Sequence, residues 1–273
     1  MLIYFDNAAT TMKKPEEVTQ AICAALCSFG GVGRGVHPAS LAAGRAVFEA
    51  RERIAALLDV PSPNGVAFTL NATMALNIAL QGLVKPGSKL VSTAASHNSV
   101  LRPLFRLRDE LHCEIEIIPV QRDGSLDYSL YEQALSTGDV SLVAVTHASN
   151  VTGDIYDVKQ MVQAAHAAGA FFVLDAAQTA GSYPVSMRDI GADVLCFTGH
   201  KSLFGPQGTG GLCVRPSLEI RPLLEGGSGV HSFDERHPRF MPESLEAGTI
   251  NAHGLAGLAA GVSFLQEQGI DSV

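Results

Sequence analysis

Seven short apolar runs, most of them separated by helical patterns, constrain the fold of this 273-residue chain more than any other feature. Runs of this length that are bounded by turn-forming residues predict buried strands. The predicted strands are 66–70, 89–93, 115–119, 142–146, 171–175, 193–197 and 211–215. Helical patterns lie between most of them, over 73–83, 99–112, 127–136 and 156–168. This alternation predicts an α/β fold, in which a seven-stranded, mostly parallel sheet carries helices on both faces.

The last two predicted strands lack a clear helix between them, so one of the two is expected to run antiparallel. Helices near 15–28 and 41–58 are predicted before the sheet, and a final helix is predicted near 252–268. The stretch 225–244 is rich in glycine, proline and charge, and is therefore predicted to be a long loop.

Composition and charge exclude several classes of function. The net charge is −8 and no basic stripe is present that could neutralise phosphates, which argues against nucleic acid as the main partner. No apolar run approaches the ~20 residues that a membrane span needs. Residues 1–6 lack the basic start and the cleavage site of a signal peptide. We therefore expect a cytoplasmic protein that binds neither nucleic acid nor a membrane.

The cysteines are odd in number and form no C-x-x-C pair; they are Cys23, Cys27, Cys113, Cys196 and Cys213. Cys23 and Cys27 lie four residues apart on a predicted helix and could share a face, but no further metal ligands accompany them. We therefore predict buried apolar thiols for this pair and for Cys196 and Cys213, and no metal site.

Two charged residues stand where predicted strands end. Asp175 is the last residue of strand 171–175, and Lys201 follows strand 193–197 within Thr198-Gly199-His200-Lys201. In open parallel sheets, ligands bind beyond the carboxyl ends of the strands. A lysine there can form a Schiff base, and a buried carboxylate can keep the ring nitrogen of pyridoxal 5′-phosphate (PLP) protonated. The pair predicts PLP as a cofactor.

Five predicted strand ends in all carry polar groups. Besides Asp175 and Lys201 these are Thr73 after strand 66–70, His97 after 89–93, Asn150 after 142–146, Gln178 after 171–175, and Thr198 and His200 after 193–197. Taken singly, several have plainer explanations, such as a helix cap for Thr73 or Asp175 and a turn for Asn150. Gln178 and His97 are equally compatible with solvated loops. Their common position at one edge of the sheet favours a shared anionic, aromatic ligand.

The chain resembles the class V branch of fold-type I PLP enzymes, and within it the cysteine desulfurase and selenocysteine lyase group. The motifs that carry the resemblance are Arg34-Gly35-Val36-His37, Ser149-Asn150-Val151-Thr152-Gly153, Asp175-Ala176-Ala177-Gln178, Gly199-His200-Lys201 and Glu246-Ala247-Gly248-Thr249. Two departures stand out. Asn71-Ala72-Thr73-Met74 replaces a common Gly-Thr-Thr-Glu, and Thr198 replaces a common serine.

The resemblance implies a role for each site residue. Lys201 would hold the cofactor covalently and move the proton at the substrate Cα. Asp175 would pair with the ring nitrogen, His97 would stack on the ring, and these three are the expected catalytic residues. Gln178 would donate to the phenolic oxygen of PLP. Asn150 would lie near that oxygen and the substrate carboxylate.

The resemblance also implies how the phosphate is bound. The Ala72 amide, Thr73, Thr198 and His200 would bind it within the chain. Thr249 resembles a residue that reaches the phosphate of a partner subunit, which implies a homodimer with shared active sites.

The expected reaction is conversion of L-cysteine to L-alanine with transfer of the sulfur to an enzyme thiolate, and a sulfur-acceptor protein is a further candidate partner. The alternatives are another class V aminotransferase or epimerase, and a non-catalytic PLP-binding protein. Residues 1–250 are expected to form a PLP-binding large domain with an N-terminal arm over about 1–14. Residues 251–273 would begin a linker helix to a C-terminal small domain that carries, in the family, the persulfide-forming cysteine and a carboxylate-binding arginine. Without that domain, we expect PLP binding with poor turnover of L-cysteine.

Overall fold

The computed structural model describes residues 3–33, 35–230 and 233–272. Its sheet has seven strands: β1 (Val66–Thr69), β2 (Lys89–Thr93), β3 (Glu114–Ile118), β4 (Val140–Thr146), β5 (Phe171–Asp175), β6 (Val194–Thr198) and β7 (Gly210–Val214). The helices are α1 (Glu16–Ser28), α2 (Pro38–Leu57), α3 (Ala72–Leu83), α4 (Asn98–Leu111), α5 (Tyr128–Ser136), α6 (Val158–Ala167), α7 (Met187–Ile190) and α8 (Ala252–Gln268). The stretch 225–244 is irregular over its described residues, as predicted.

The strand order is β1-β7-β6-β5-β4-β2-β3. Strands β2 to β6 pair in parallel, whereas β7 runs antiparallel to both β6 and β1. Both the α/β fold class and the single reversed strand are thus confirmed. The reversal follows from the connection between β6 and β7, which contains no crossover helix and so returns the chain in the opposite direction.

The central strands are buried on both faces, and alternate residues feed two separate cores. Phe172 and Leu174 of β5 enter the core under α2, α6 and α8, while Val173 enters the core under α3 and α4. In β6, Phe197 enters the first of these cores and Cys196 the second. Strands flanked by helices on both sides need apolar residues at every position, which explains their continuous apolar runs.

Helix α2 begins at Pro38, three residues before the predicted start. Proline is favoured at the first helical position because its fixed φ suits the helix and its missing N–H would have no intrahelical acceptor. Helix α7 was not predicted, because four residues are too few to establish a helical period. Within the described ranges, no helix is long and apolar enough to cross a membrane.

The prediction of buried thiols is wrong for Cys23 and Cys27, which are exposed, and correct for Cys196 and Cys213. Helix α1 packs on α8 through Val18 and Ala25. At 100° per residue, Cys23 and Cys27 lie about 140° and 180° around the helix from Val18, on the opposite face. Both thiols therefore point away from the core.

Candidate functional site

Asp175 and Lys201 lie at the carboxyl ends of the neighbouring parallel strands β5 and β6. Asp175 is 3% exposed, and its Oδ1 accepts the Ala177 amide at 3.0 Å. Burial raises the pKa of Asp175, while the Ala177 amide and the nearby positive charges of Lys201 and His97 oppose that rise. Burial likewise lowers the pKa of Lys201, and the charge of Asp175 opposes this. The structure therefore brings together an acid with a raised pKa and a base with a lowered pKa, and the charge of His97 acts on the same acid.

A tight turn after β6 presents Lys201. The Gly199 amide donates to the Thr209 carbonyl at 2.8 Å, the Gly205 amide donates back to the Gly199 carbonyl at 2.8 Å, and the Phe204 amide donates to the Lys201 carbonyl at 3.0 Å. A Cβ at Gly199 would collide with the side chain of Thr209. Only glycine fits there, which explains its place directly after the strand.

His97 precedes α4 and caps it, since its Nδ1 accepts the Ser99 amide at 3.1 Å. A neutral imidazole that accepts at Nδ1 carries its proton on Nε2. The residue is exposed, so the ring is free on the side that looks away from the helix. One side chain thus serves as a cap and remains available to a ligand.

The start of α3 carries the predicted phosphate-binding residues Ala72 and Thr73. Asn71 is the cap residue, and its Oδ1 accepts the Met74 amide at 2.9 Å. The plainer reading of Thr73 as the cap is therefore wrong, and Thr73 lies exposed in the first turn. The first amides of a helix have no intrahelical acceptor, so those of Ala72 and Thr73 remain available to an anion.

Thr198 carries an orphaned polar atom. The residue is 3% exposed, and its Oγ1 has no hydrogen-bond partner in the part of the chain that the structure describes. Leaving a buried hydroxyl unpaired costs about 1–3 kcal/mol. A phosphate oxygen would satisfy it, and His200, two residues later, supplies a second polar group in the same turn.

The remaining predicted residues differ in where the structure places them. Gln178 Nε2 donates to the Ala8 carbonyl of the N-terminal arm at 3.1 Å. Asn150 is exposed in a turn that Ser149 Oγ stabilises by accepting two backbone amides. Thr249 is exposed and lines a cleft beside Met74 of α3 rather than the turn of Lys201. Arg34, part of a motif noted above, lies outside the described residues.

Two groups of site residues escaped the sequence reasoning. Thr10, Thr11 and Lys14 of the arm contact the peptide units before and after the α-carbon of Lys201. His147 is buried behind Asp175: its amide donates to the Asp175 carbonyl at 2.9 Å, and burial lowers its pKa to about 4. The signal for the arm was weak, namely adjacent hydroxyl residues followed by lysines.

Comparisons with known proteins identify the family of the chain. The aminotransferase class-V family model matches residues 3–273. A probable cysteine desulfurase of Pyrococcus abyssi is 35% identical over all of this chain and 69% of that protein, and one of Aeropyrum pernix is 38% identical over all of this chain and 68% of that protein. The apo cysteine desulfurase of Thermococcus onnurineus superposes with a TM-score of 0.92 at 36% identity, over 99% of this chain and 68% of that chain. The chain belongs to the class V aminotransferase family.

Proposed function

We propose that this protein is a PLP-dependent enzyme that converts L-cysteine to L-alanine. The observation that carries the proposal is the pairing of Lys201 with buried Asp175 at the ends of adjacent parallel strands. Similarity to cysteine desulfurases along the whole chain supports the choice of substrate.

The residues present fit PLP at three points. Burial raises the pKa of Asp175 more than the charges of Lys201 and His97 lower it. A protonated ring nitrogen would supply the further positive charge that a buried carboxylate needs. The orphaned Thr198 hydroxyl and the free amides at the start of α3 suit a phosphate. When bound, PLP supplies an electron sink for the pair released from a substrate Cα–H bond.

Lys201 would anchor the cofactor through Nζ and take the proton from the substrate Cα. A neutral amine is needed for both tasks, and burial already lowers the pKa of Lys201 towards the range where neutral amine is abundant. His97, fixed at Nδ1 by the Ser99 amide, would present its ring to the cofactor face. Gln178 would donate to the phenolic oxygen of PLP, and Asn150 would lie near that oxygen and the substrate carboxylate.

The sulfur must leave on a reactive thiol. Cys196 lies beside Asp175, but burial and that carboxylate raise the pKa of its thiol, and burial also raises that of Cys213. A protonated buried thiol is a poor nucleophile. We therefore propose that neither of these two buried thiols takes the sulfur, and that a mobile thiol, such as that of a sulfur-acceptor protein, receives it.

We also propose the domain organisation expected from the sequence, with residues 1–250 as the PLP-binding domain and 251–273 as the start of a linker helix. In support, the arm is bonded to the turn that carries Lys201. Helix α8 rests on this domain through the buried side chains of Leu255, Leu258 and Leu265.

The test is an assay of the purified chain with PLP, L-cysteine and dithiothreitol, which supplies the two electrons that release bound sulfur as sulfide. We expect L-alanine and sulfide in equal amounts but at a low rate, in line with the poor turnover expected of this chain, and neither product from the Lys201→Ala and Asp175→Asn variants. Racemised cysteine would favour an epimerase, and amino-group transfer to a keto acid would favour an aminotransferase. Either product without alanine would overturn the proposal.

A further inference from the structure

One backbone carbonyl, that of His200, accepts an unusual set of hydrogen bonds from the N-terminal arm. The donors are Thr10 Oγ1 at 3.1 Å, the Thr11 amide at 3.2 Å, Thr11 Oγ1 at 3.0 Å and Lys14 Nζ at 2.7 Å. A carbonyl oxygen has only two lone pairs, so this acceptor is saturated. The Lys14 bond is the shortest of the set and comes from a cationic group, which makes it the strongest.

The position of that carbonyl matters because it belongs to the peptide unit directly before Lys201. Thr11 Oγ1 also lies 3.1 Å from the carbonyl of Lys201 itself, and the His200 ring bonds through Nδ1 to Thr10 Oγ1 at 3.0 Å. The arm therefore holds the backbone on both sides of the Lys201 α-carbon. The direction in which Lys201 leaves the backbone depends on these bonds.

The position of Lys14 disfavours the charged form of its own side chain. It is partly buried, and burial lowers its pKa to about 8. It also donates to Thr11 Oγ1, so it binds both the arm and the turn. Burial lowers the pKa of His200, and the positive charges of Lys201 and Lys14 lower it further, so two like charges lie close to this one residue. The neighbouring Lys13, by contrast, is exposed.

We propose that Lys14 is a positioning residue of the active site: through the His200 carbonyl it fixes the turn 199–201, and with it the approach of Lys201 Nζ to Asp175 and to the cofactor aldehyde. The inference deepens the proposed function, since the role of Lys201 rests on it. The hydrogen bonds between Lys14 and the turn are observed independently of that function.

The test compares Lys14→Met, which removes the donor, with Lys14→Arg, which restores a cationic donor, and with Lys13→Met as the matched exposed control. In cofactor-free protein, hydrogen–deuterium exchange of peptides covering 4–14 and 199–204 should rise about tenfold or more in Lys14→Met, in line with loss of a charge-assisted bond. Lys14→Arg should restore most of the protection, and Lys13→Met should match the parent.

The second readout is the rate at which borohydride traps PLP on Lys201, followed by peptide mass spectrometry. We expect it to fall about tenfold in Lys14→Met and to recover in Lys14→Arg. If Lys14→Met does not fold, Lys14→Gln takes its place. Exchange and trapping in the Lys14 variant equal to those of Lys13→Met would overturn the proposal. If even the parent traps no PLP, the proposed function fails, and the exchange data alone still decide the role of Lys14.

Discussion

At the scale of single residues, the site is a set of groups whose burial is unfavourable unless a ligand pairs with them. Asp175 is a buried carboxyl with a raised pKa, Lys201 a half-buried amine with a lowered pKa, and Thr198 a buried hydroxyl without a partner. Natural cores avoid such groups unless something satisfies them. One ligand with a cationic ring, an aldehyde and a phosphate would satisfy all three, which is why PLP explains the arrangement better than three separate structural roles.

The orphaned hydroxyl yields a paired prediction. Thr198→Val should raise the stability of the cofactor-free protein by about 1 kcal/mol, because it removes an unpaired buried polar atom, and should weaken PLP binding about tenfold. Thr209→Val is the control: Thr209 is equally buried, but its Oγ1 donates to the Pro206 carbonyl at 2.6 Å, so this change should destabilise by about 1 kcal/mol. Urea unfolding and PLP titration measure both effects. A destabilised Thr198→Val protein would contradict the assignment.

The buried His147 predicts a pH effect on stability. Its pKa is about 4 in the folded protein, whereas an unfolded histidine titrates near ~6.5. Between these values the unfolded chain binds a proton that the folded chain excludes, so stability falls as the pH drops from about 6.5 to about 4, by up to about 3 kcal/mol. His147→Asn, which can still bond Thr179, lacks this contribution. Its unfolding free energy should decline less steeply over that range, and equal slopes for the two proteins would be inconsistent with a buried neutral imidazole.

At the scale of elements, the sequence predicted most of what positions the site. All seven strands lie within two residues of their predicted ends, because buried strands in a helix-covered sheet leave continuous apolar runs. Since the carboxyl ends of β4, β5 and β6 meet at one edge, the grouping of Asp175 and Lys201 followed from the alternation alone.

The rest depended on contacts that no local pattern records. The arm and the turn of Lys201 are about 190 residues apart in the sequence, so no local pattern near Thr10 or Lys14 predicts their contact. The exposure of Cys23 depends on which face of α1 packs on α8, and α1 is too weakly patterned to decide this. Such features are set by tertiary packing rather than by periodicity.

Two glycines in helices lead to opposite predictions. A Cβ on Gly261 of α8 would meet the Leu203 carbonyl and press on the segment that follows Lys201, whereas one on Gly44 of α2 would meet no atom within 4 Å. Gly261→Ala should therefore destabilise by about 1–3 kcal/mol through overpacking. Gly44→Ala should stabilise by about 0.5–1 kcal/mol through helix propensity. Chemical unfolding of the two variants decides, and a stabilised Gly261→Ala would show that α8 does not lie against this segment.

At the scale of the whole molecule, we propose a homodimer with shared active sites. Val36 and Phe233 are large apolar residues that are 92% and 102% exposed, and burying them against a second subunit would be favourable. Thr249 is exposed at the edge of a cleft and could reach a neighbouring subunit. Sedimentation at micromolar concentration should give a dimer, and Thr249→Ala should weaken PLP binding without changing the assembly. A monomer that holds PLP tightly would contradict shared sites.

The central claim is that Lys201 is the amine that holds PLP, and one measurement tests it directly. The protein is incubated with PLP and reduced with borohydride, and the modified residue is located by peptide mass spectrometry. We expect the label on Lys201, with Lys13 and Lys14 unmodified, and no label at that peptide in Lys201→Ala protein of unchanged circular dichroism. Labelling spread over exposed lysines, or labelling that persists at the parent level in Lys201→Ala, would contradict the account.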